Sequence, residues 1–320
     1  MRIAVLGLGS IGLRHARNLA ARGLDVIGFD PDREQCIELE VMGQAVGGSR
    51  EELLAVSDAV VIASPSELHL DDLAATVEAG CHALVEKPIG HTVAGFEALF
   101  DSADEQGLCI FSGMNLRFHP AVQAAKADLD RGRIGTLLWA RLLASSYLPD
   151  WRPEHDYRQG YAADPVTGGV LFDIIHEFDL AHHLLGSART VSACARTTGQ
   201  LDIPSEDCAD VILRHPGDVH STLHLDYVTR PARRVTEISG TEGFLRLDLA
   251  ARVYTAYNST GEPLEENHYD SSFDDDYNDE IGAFLSCIET GNPPLCDGRE
   301  SLAVMRQVLA ARQLSGLPSP

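Results

Sequence analysis

The first ~115 residues alternate between short runs that favour β-strands and longer segments with helical periodicity. Such alternation predicts βαβ units and a doubly wound parallel sheet with helices on both faces. The strand runs are apolar throughout, as a sheet covered on both faces requires. The predicted strands are Ile3–Leu6, Asp25–Phe29, Ala59–Ala63, His82–Val85 and Leu108–Phe111, and the helices between them are about Ile11–Arg22, Asp32–Met42, Leu70–Ala79 and Ala94–Gln106.

The pattern changes near Asn115, where successive short strands with tight turns replace the alternation. We therefore predict an α/β domain over residues 1–118 and an α+β domain with a large, mostly antiparallel sheet over residues 119–320. The sequence leaves open that the two C-terminal helices pack back on the first domain. The predicted helices are about 121–131, 170–185, 277–290 and 299–315, and the strands about 136–146, 190–198, 209–214, 220–227, 233–239, 244–249 and 253–256.

A glycine motif, Gly7-Leu8-Gly9-Ser10-Ile11-Gly12, lies between the first strand and the first helix. In that context a GxGxxG motif is typical of Rossmann dinucleotide binding. Gly7 allows the tight turn, Gly9 lets the backbone approach a pyrophosphate, and Gly12 allows close packing of helix and strand. The helix N-terminus, including Ser10 and Ile11, offers N–H groups and a positive dipole end to phosphates. We expect these residues to bind a cofactor.

The second strand is followed by Asp30, 18 residues after Gly12. A carboxylate at this place accepts hydrogen bonds from ribose hydroxyls and repels a 2′-phosphate, which favours NAD over NADP. Arg33 lies close by in sequence and would soften the preference.

A second motif, Glu86-Lys87-Pro88, follows the His82–Val85 strand. Ligands of open α/β sheets bind beyond the carboxyl ends of the strands, so Lys87 is predicted to lie near the cofactor and to donate to a substrate oxygen. A surface lysine at a strand end is the alternative. Glu86 itself and four residues that follow neighbouring strand ends join the predicted cofactor site: Ser64, Pro65, His69 and Asn115.

The third motif carries Asp173, His176 and Asp179 on a predicted helix that follows Gly168-Gly169. Asp173 and His176, at i and i+3, share a face, and a carboxylate beside a histidine can orient it and raise its basicity. A metal-binding alternative uses His176, Asp179, His182 and His183. Leu180 stands where an HExxH motif would need histidine, so we expect no zinc protease-like site and no metal.

Composition narrows the classes of partner. The formal net charge is −23, which opposes binding to nucleic acid or to an anionic membrane. No apolar run is long enough for a membrane span, and the N-terminus is a poor signal peptide. The seven cysteines include no CxxC pair, so we expect reduced, buried thiols in a cytoplasmic protein.

Together these motifs resemble the Gfo/Idh/MocA family of oxidoreductases over essentially the whole chain. The resemblance implies a nicotinamide cofactor in the first domain and a sugar, inositol or sugar derivative against the second, with a nucleotide-linked sugar as an alternative within that class. Lys87 matches the family's catalytic lysine, His176 its acid/base and Asp173 the accompanying acid. Many members have three residues between that aspartate and histidine, whereas this chain has two, so Asp179 is the alternative orienting carboxylate. The predicted substrate-binding residues are Lys87, Arg117, Trp151, Arg152, Tyr157, Asp173, His176 and Asp179.

The expected reaction is the reversible oxidation of a secondary alcohol, with His176 as general base and Lys87 on the reacting oxygen. Three alternatives stay open: a redox-neutral enzyme with tightly held NAD, a non-catalytic NAD-binding sensor, and a metal-dependent enzyme. An antiparallel sheet face needs a cover, and the family commonly forms dimers or tetramers, so we expect a homodimer or homotetramer.

Overall fold

The computed structural model describes residues 1–320 and divides into two compact units. One comprises Met1–Asn115 and Phe273–Met305, and the other comprises Leu116–Ser272 and Arg306–Pro320. Among the helices of the chain, none has both the length and the apolar character that crossing a membrane requires.

The first unit contains a six-stranded parallel sheet in the order β3-β2-β1-β4-β5-β6. The predicted doubly wound sheet is confirmed. The structure adds a strand at β3 and a short helix at α3, both too short to show a period in the sequence. The strands are β1 (Arg2–Leu6), β2 (Asp25–Phe29), β3 (Ala45–Val46), β4 (Ala59–Ile62), β5 (His82–Glu86) and β6 (Ile110–Gly113), and the helices are α1 (Ser10–Ala21), α2 (Arg33–Val41), α3 (Arg50–Leu54), α4 (His69–Glu78) and α5 (Phe96–Glu105).

The core of this unit lies on the central strands. Every residue of β4, which reads Ala-Val-Val-Ile, is fully buried, as are Ile3, Ala4 and Val5 of β1. A strand buried on both faces has no polar side, which explains the unbroken apolar runs of the sequence. The order in which strands are added reverses between the parallel neighbours β1 and β4, and doubly wound folds bind ligands in the crevice at the carboxyl ends of such a strand pair.

The second unit contains an eight-stranded sheet in the order β14-β13-β12-β11-β7-β10-β9-β8. All neighbouring strands are antiparallel except β7 and β10, so the predicted mostly antiparallel sheet is confirmed. The last strand was missed because its sequence is mostly polar. The strands are β7 (Leu137–Tyr147), β8 (Arg189–Arg196), β9 (Cys208–Arg214), β10 (His220–Asp226), β11 (Val228–Gly240), β12 (Gly243–Asp248), β13 (Val253–Asn258) and β14 (Pro263–His268).

Helices α6 (Pro120–Asp130), α7 (Val170–Asp173) and α8 (His176–Leu185) contact this sheet. Its opposite face, which we call the outer face, carries polar side chains together with the half-exposed side chains of Trp139 and Ile212. It also holds a concavity of about 660 Å³, whose lining includes Arg141 and Glu237.

Two long helices, α9 (Phe273–Thr290) and α10 (Gly298–Leu314), end the chain. In the first unit, Cys287 of α9 is joined to Cys109 as a disulfide. The expectation that all seven cysteines are reduced is therefore wrong for this pair, whose members are 178 residues apart in sequence and carry no spacing signal. The expectation of burial fails for Cys194, which is exposed, whereas the other four free cysteines are buried.

A buried histidine, His119, caps the N-terminus of α6. The Nδ1 atom of His119 accepts a hydrogen bond from the N–H of Ala121 at 3.2 Å, and Nε2 lies 3.2 Å from the carbonyl oxygen of Leu249. This pairing requires a neutral ring with its proton on Nε2. Burial, with the charge of Arg252 added, lowers the pKa of His119 to about 4. Protonation would remove the cap of α6.

We predict that this histidine makes stability depend on pH. Between about pH 6.5 and 4 the unfolded chain binds a proton at His119 that the folded chain rejects, so the free energy of unfolding falls as pH is lowered. Urea unfolding should show a fall larger by about 2–3 kcal/mol in the native protein than in His119→Asn, whose amide can still cap the helix. Equal pH dependence in the two proteins would contradict this account.

Candidate active site

The glycine motif forms a tight turn between β1 and α1. Gly7 has φ +83°, and a Cβ there would lie 2.5 Å from the carbonyl oxygen of Ala63. A Cβ on Gly12 would lie 1.8 Å from the carbonyl oxygen of Gly7. Gly9 differs, because no atom lies within 4 Å of its Cβ position. Gly7 and Gly12 are thus required by packing, whereas Gly9 faces open space at the N-terminus of α1.

Asp30 lies directly after β2, at the same edge of the sheet. One carboxylate oxygen accepts a hydrogen bond from the N–H of Leu8 at 2.8 Å, and the other accepts from the N–H of Asp32 at 2.9 Å. The carboxylate is therefore fixed against the glycine turn, and each oxygen keeps a lone pair for a further donor. The nearby Arg33 forms an ion pair with Glu40 on its own helix.

Lys87 follows β5, and the residue before it is held by a buried hydrogen-bonded pair. The carboxylate of Glu86 lies 2.6 Å from Nε2 of His15 on α1, and its second oxygen accepts the backbone N–H of Lys87 at 3.1 Å. Both side chains are buried. Burial alone would raise the pKa of Glu86, but the pairing with His15 and the N–H of Lys87 lower that pKa overall. Glu86 is therefore an anion at neutral pH that links α1 to the backbone of Lys87.

His69, at the start of α4, joins two loops of the same edge. Its Nδ1 lies 3.0 Å from the carbonyl oxygen of Pro88, and its Nε2 lies 2.9 Å from that of Ser64. Burial is the main cause that lowers the pKa of His69, so the ring is neutral at neutral pH. Both nitrogens thus face backbone carbonyl oxygens, and the neutral ring, which lies between the two loops, donates to one of them. The hydroxyl of Ser64 donates to Asp72 at 2.6 Å.

Asn115 closes the set of strand-end residues in the first unit. Its side chain is 1% exposed, and its amide nitrogen Nδ2 has no hydrogen-bond partner within the protein. A buried donor without an acceptor costs free energy. Such a group is expected where a ligand completes the hydrogen bonding.

In the second unit, the predicted helix over residues 170–185 is interrupted. Asp173 ends α7, Ile174 departs from helical geometry at φ −94° and ψ +36°, and His176 begins α8. The expectation of one continuous helix is therefore wrong at this point. The break comes at two β-branched residues, Ile174 and Ile175, which have lower helix propensity.

Two phenols hold the carboxylate of Asp173. The hydroxyl of Tyr161 donates to one oxygen and that of Tyr227 to the other, each at 2.9 Å. Burial, together with the nearby Asp173 charge, raises the pKa of Tyr227 well above its ordinary value, so this phenol stays protonated. Asp173 is a fixed acceptor only three residues from His176, which is 8% exposed.

Asp179 has a different partner. It accepts three hydrogen bonds from the guanidinium of Arg117, the shortest at 2.6 Å, and both side chains are almost fully buried. Arg117 and Asp179 are both predicted to bind substrate, and a substrate group would have to compete with the ion pair that they form with each other. The His176–His183 run also brings no three ligand atoms together as a metal site would need.

The aromatic loop before α7 contributes partly exposed groups. Trp151 is 43% exposed, and its ring meets that of Tyr227 edge-on with 5.5 Å between centroids. Tyr157 is half-buried, its hydroxyl accepting a 3.4 Å hydrogen bond from the N–H of Asp202, and Arg152 is exposed. Sequence reasoning missed Tyr161 and Tyr227 because no spacing connects them to Asp173.

Comparison with family models gives two matches. Residues 1–114 match the model described as the oxidoreductase family with an NAD-binding Rossmann fold. Residues 122–246 match the Gfo/Idh/MocA C-terminal domain. The two matches follow each other in the order that the resemblance predicts.

Named relatives cover nearly the whole chain. D-xylose 1-dehydrogenase (NADP(+)) 2 of Haloferax volcanii is 26% identical over 96% of this chain and 95% of its own. Inositol 2-dehydrogenase of Rhizobium meliloti is 26% identical over 98% of this chain and 99% of its own. The structure of levoglucosan dehydrogenase in complex with NADH shares the fold, with TM-score 0.87, 18% identity and coverage of 100% of this chain and 99% of its own. The chain therefore belongs to the Gfo/Idh/MocA family of oxidoreductases.

Proposed function

We propose that this protein is a nicotinamide-dependent dehydrogenase that oxidises a secondary hydroxyl group of a sugar or inositol to a ketone. The observation that carries the proposal is the fixed position of Lys87 at the ligand-binding edge of the parallel sheet. A buried anion on one side and the His69 link on the other hold its backbone. A protein that only sensed NAD would have no use for a lysine positioned in this way.

The cofactor proposal rests on groups in the first unit that fit a dinucleotide. Gly9 leaves room in front of the α1 N-terminus, where a pyrophosphate would accept hydrogen bonds from the N–H groups of Ser10 and Ile11. The buried Nδ2 of Asn115 would find its acceptor on the cofactor. Asp30 would accept the ribose hydroxyls, and because Arg33 is paired with Glu40, we propose NAD as the preferred form.

The proposed mechanism assigns the proton to His176. Bound nicotinamide would supply the acceptor for the hydride from the carbinol carbon. His176 would remove the hydroxyl proton, with Asp173 as the acid that orients and stabilises the charged ring. Lys87 would donate to the same oxygen and stabilise the negative charge that develops on it. We propose a structural role for the Arg117–Asp179 pair, because each satisfies the other in a buried position.

The substrate class is proposed from the named relatives and from the aromatic loop. Trp151, Arg152 and Tyr157 offer stacking and polar groups, which suit a polyhydroxylated ligand.

The test is to mix the protein with NAD and a panel of pentoses, hexoses, inositols and nucleotide-linked sugars and to follow NADH by near-ultraviolet absorbance. Formation of NADH with one of these classes identifies the substrate class. NAD that co-purifies and no NADH with any class would instead support a redox-neutral enzyme.

We propose further that the outer face of the second sheet forms a homo-oligomer, since Trp139, Phe244 and Tyr257 form an aromatic cluster there and Trp139 is 44% exposed. We also propose a cytoplasmic location on the ground that five of the seven cysteines are free thiols; the Cys109–Cys287 disulfide counts against it.

We predict that Lys87→Ala and His176→Ala each lower kcat by about 10²–10⁴-fold while the Kd for NADH changes little. The chain has only one other lysine, Lys126, which forms an ion pair with Asp130, so Lys126→Ala is the matched control. His183→Gln on the same helix is the control for His176. Near-native turnover in both test variants would disprove the assigned roles.

A second prediction concerns cofactor choice. Asp30→Ser should raise the KM for NAD at least about tenfold, since it loses a charged acceptor for the ribose, and should shift the NAD-to-NADP ratio of kcat/KM toward NADP. Arg33→Ala should leave that ratio unchanged. If Arg33→Ala alters the ratio and Asp30→Ser does not, the determinant has been misassigned.

A third prediction tests the link from α1 to Lys87. Glu86→Gln keeps the size of the side chain but loses its charge, so kcat should fall about tenfold, equivalent to about 1.4 kcal/mol, while the KM for NAD stays nearly constant. Steady-state kinetics beside the exposed control Glu105→Gln provide the measurement. Unchanged kcat would mean that Glu86 does not position Lys87.

A further inference from the structure

We propose that Cys208, Asp210 and His224 bind a thiophilic divalent cation of the Zn²⁺ class on the outer face of the second sheet. Cys208 and Asp210 are two residues apart on β9 and therefore point to the same face. His224 of β10 pairs with Asp210 in the antiparallel register. One ligand atom from each of the three side chains lies within 4.8 Å of the other two. Small side-chain adjustments would bring them to the ~2.0–2.3 Å bonds of a zinc site.

The histidine is held as a metal-binding histidine is usually held. Its Nδ1 lies 2.7 Å from a carboxylate oxygen of Asp210, and its Nε2 lies 3.2 Å from one of Asp226. Asp226 is itself fixed, because it accepts hydrogen bonds from the backbone N–H groups of Val228 and Thr229 and from the Thr229 hydroxyl. With an ion bound, Nδ1 would bind the metal beside Asp210, and Nε2–H would donate to Asp226. A carboxylate behind the ligand histidine is the usual second layer of a metal site.

The donor set and the local charge select the kind of ion. Asp210 and Asp226 place negative charge beside the thiol of Cys208, which favours a cation at this point of the sheet. A thiolate, an imidazole and a carboxylate together suit Zn²⁺ better than Mg²⁺ or Ca²⁺, which prefer oxygen ligands. Asp210 and His224 line the concavity of the outer face, and their side chains are 69% and 39% exposed. A fourth coordination position would therefore face this concavity.

A bound ion here would join β9 to β10, so its effect is on the second sheet and is independent of hydride transfer. The expectation of no metal rested on the missing HExxH motif, and Cys208, Asp210 and His224 match no zinc motif either. They come together only through the pairing of two strands.

The experiment uses the full-length protein after treatment with a chelator. Calorimetric titration with Zn²⁺ alone should show one site per chain, and Co²⁺ should give a thiolate charge-transfer band in the near ultraviolet. Thermal unfolding should shift to higher temperature with Zn²⁺, as expected for a ligand that binds only the folded state. No saturable binding of either ion would overturn the proposal.

Variants identify the ligands. Cys208→Ser should abolish the Co²⁺ band, and His224→Gln should weaken binding of both ions at least about tenfold. Asp226→Asn should weaken it about 10–100-fold. The matched controls are Cys194→Ser, an exposed thiol opposite Asp210 on β8, and His220→Gln on the same strand as His224. If Cys208→Ser fails to fold, metal binding by His224→Gln still tests the site, because His224 is half-exposed. Loss of binding in the control variants, with Cys208→Ser and His224→Gln unaffected, would show that the site is wrong.

Discussion

A side chain at Gly12 would collide with the carbonyl oxygen of Gly7, 1.8 Å from its Cβ, and the first unit depends on that near contact. It seats α1 directly against the turn that follows β1. His15 lies three residues further along α1, so the same contact fixes where its ring meets Glu86. Glu86 in turn accepts the backbone N–H of Lys87. The turn that makes room for a dinucleotide therefore also determines where the proposed catalytic lysine lies.

Most of the fold could be predicted because its signals are local. The alternation of apolar strands and amphipathic helices can be recognised from short stretches of sequence, and so can the turn glycines. The errors arise where structure depends on distant partners or on very short elements. Strand β3 has two residues, β14 is mostly polar, and the break at Ile174 reflects a preference too small to see beside a helical pattern.

The site was predicted unevenly for the same reason. Lys87 and Asp30 could be found because each follows a strand at the edge where parallel sheets bind ligands. Asp173 and Asp179 could not be told apart by spacing, since both lie three residues from His176. Their partners differ: two phenols donate to Asp173, whereas the guanidinium of Arg117 pairs with Asp179, and on that difference we proposed Asp173 as the partner of His176. Those partners lie up to 62 residues away in the chain.

The edge-on contact between Trp151 and Tyr227 has an optical consequence. The chain has two tryptophans, and the other, Trp139, packs against Phe244 on the outer face of the sheet. Tyr227 also donates to Asp173, so we expect the emission of Trp151 to respond to a ligand that binds near that carboxylate. A protein in which Trp139 is replaced by phenylalanine would contain one fluorophore, placed beside the proposed acid/base pair. Its spectrum would then report on substrate binding without any added dye.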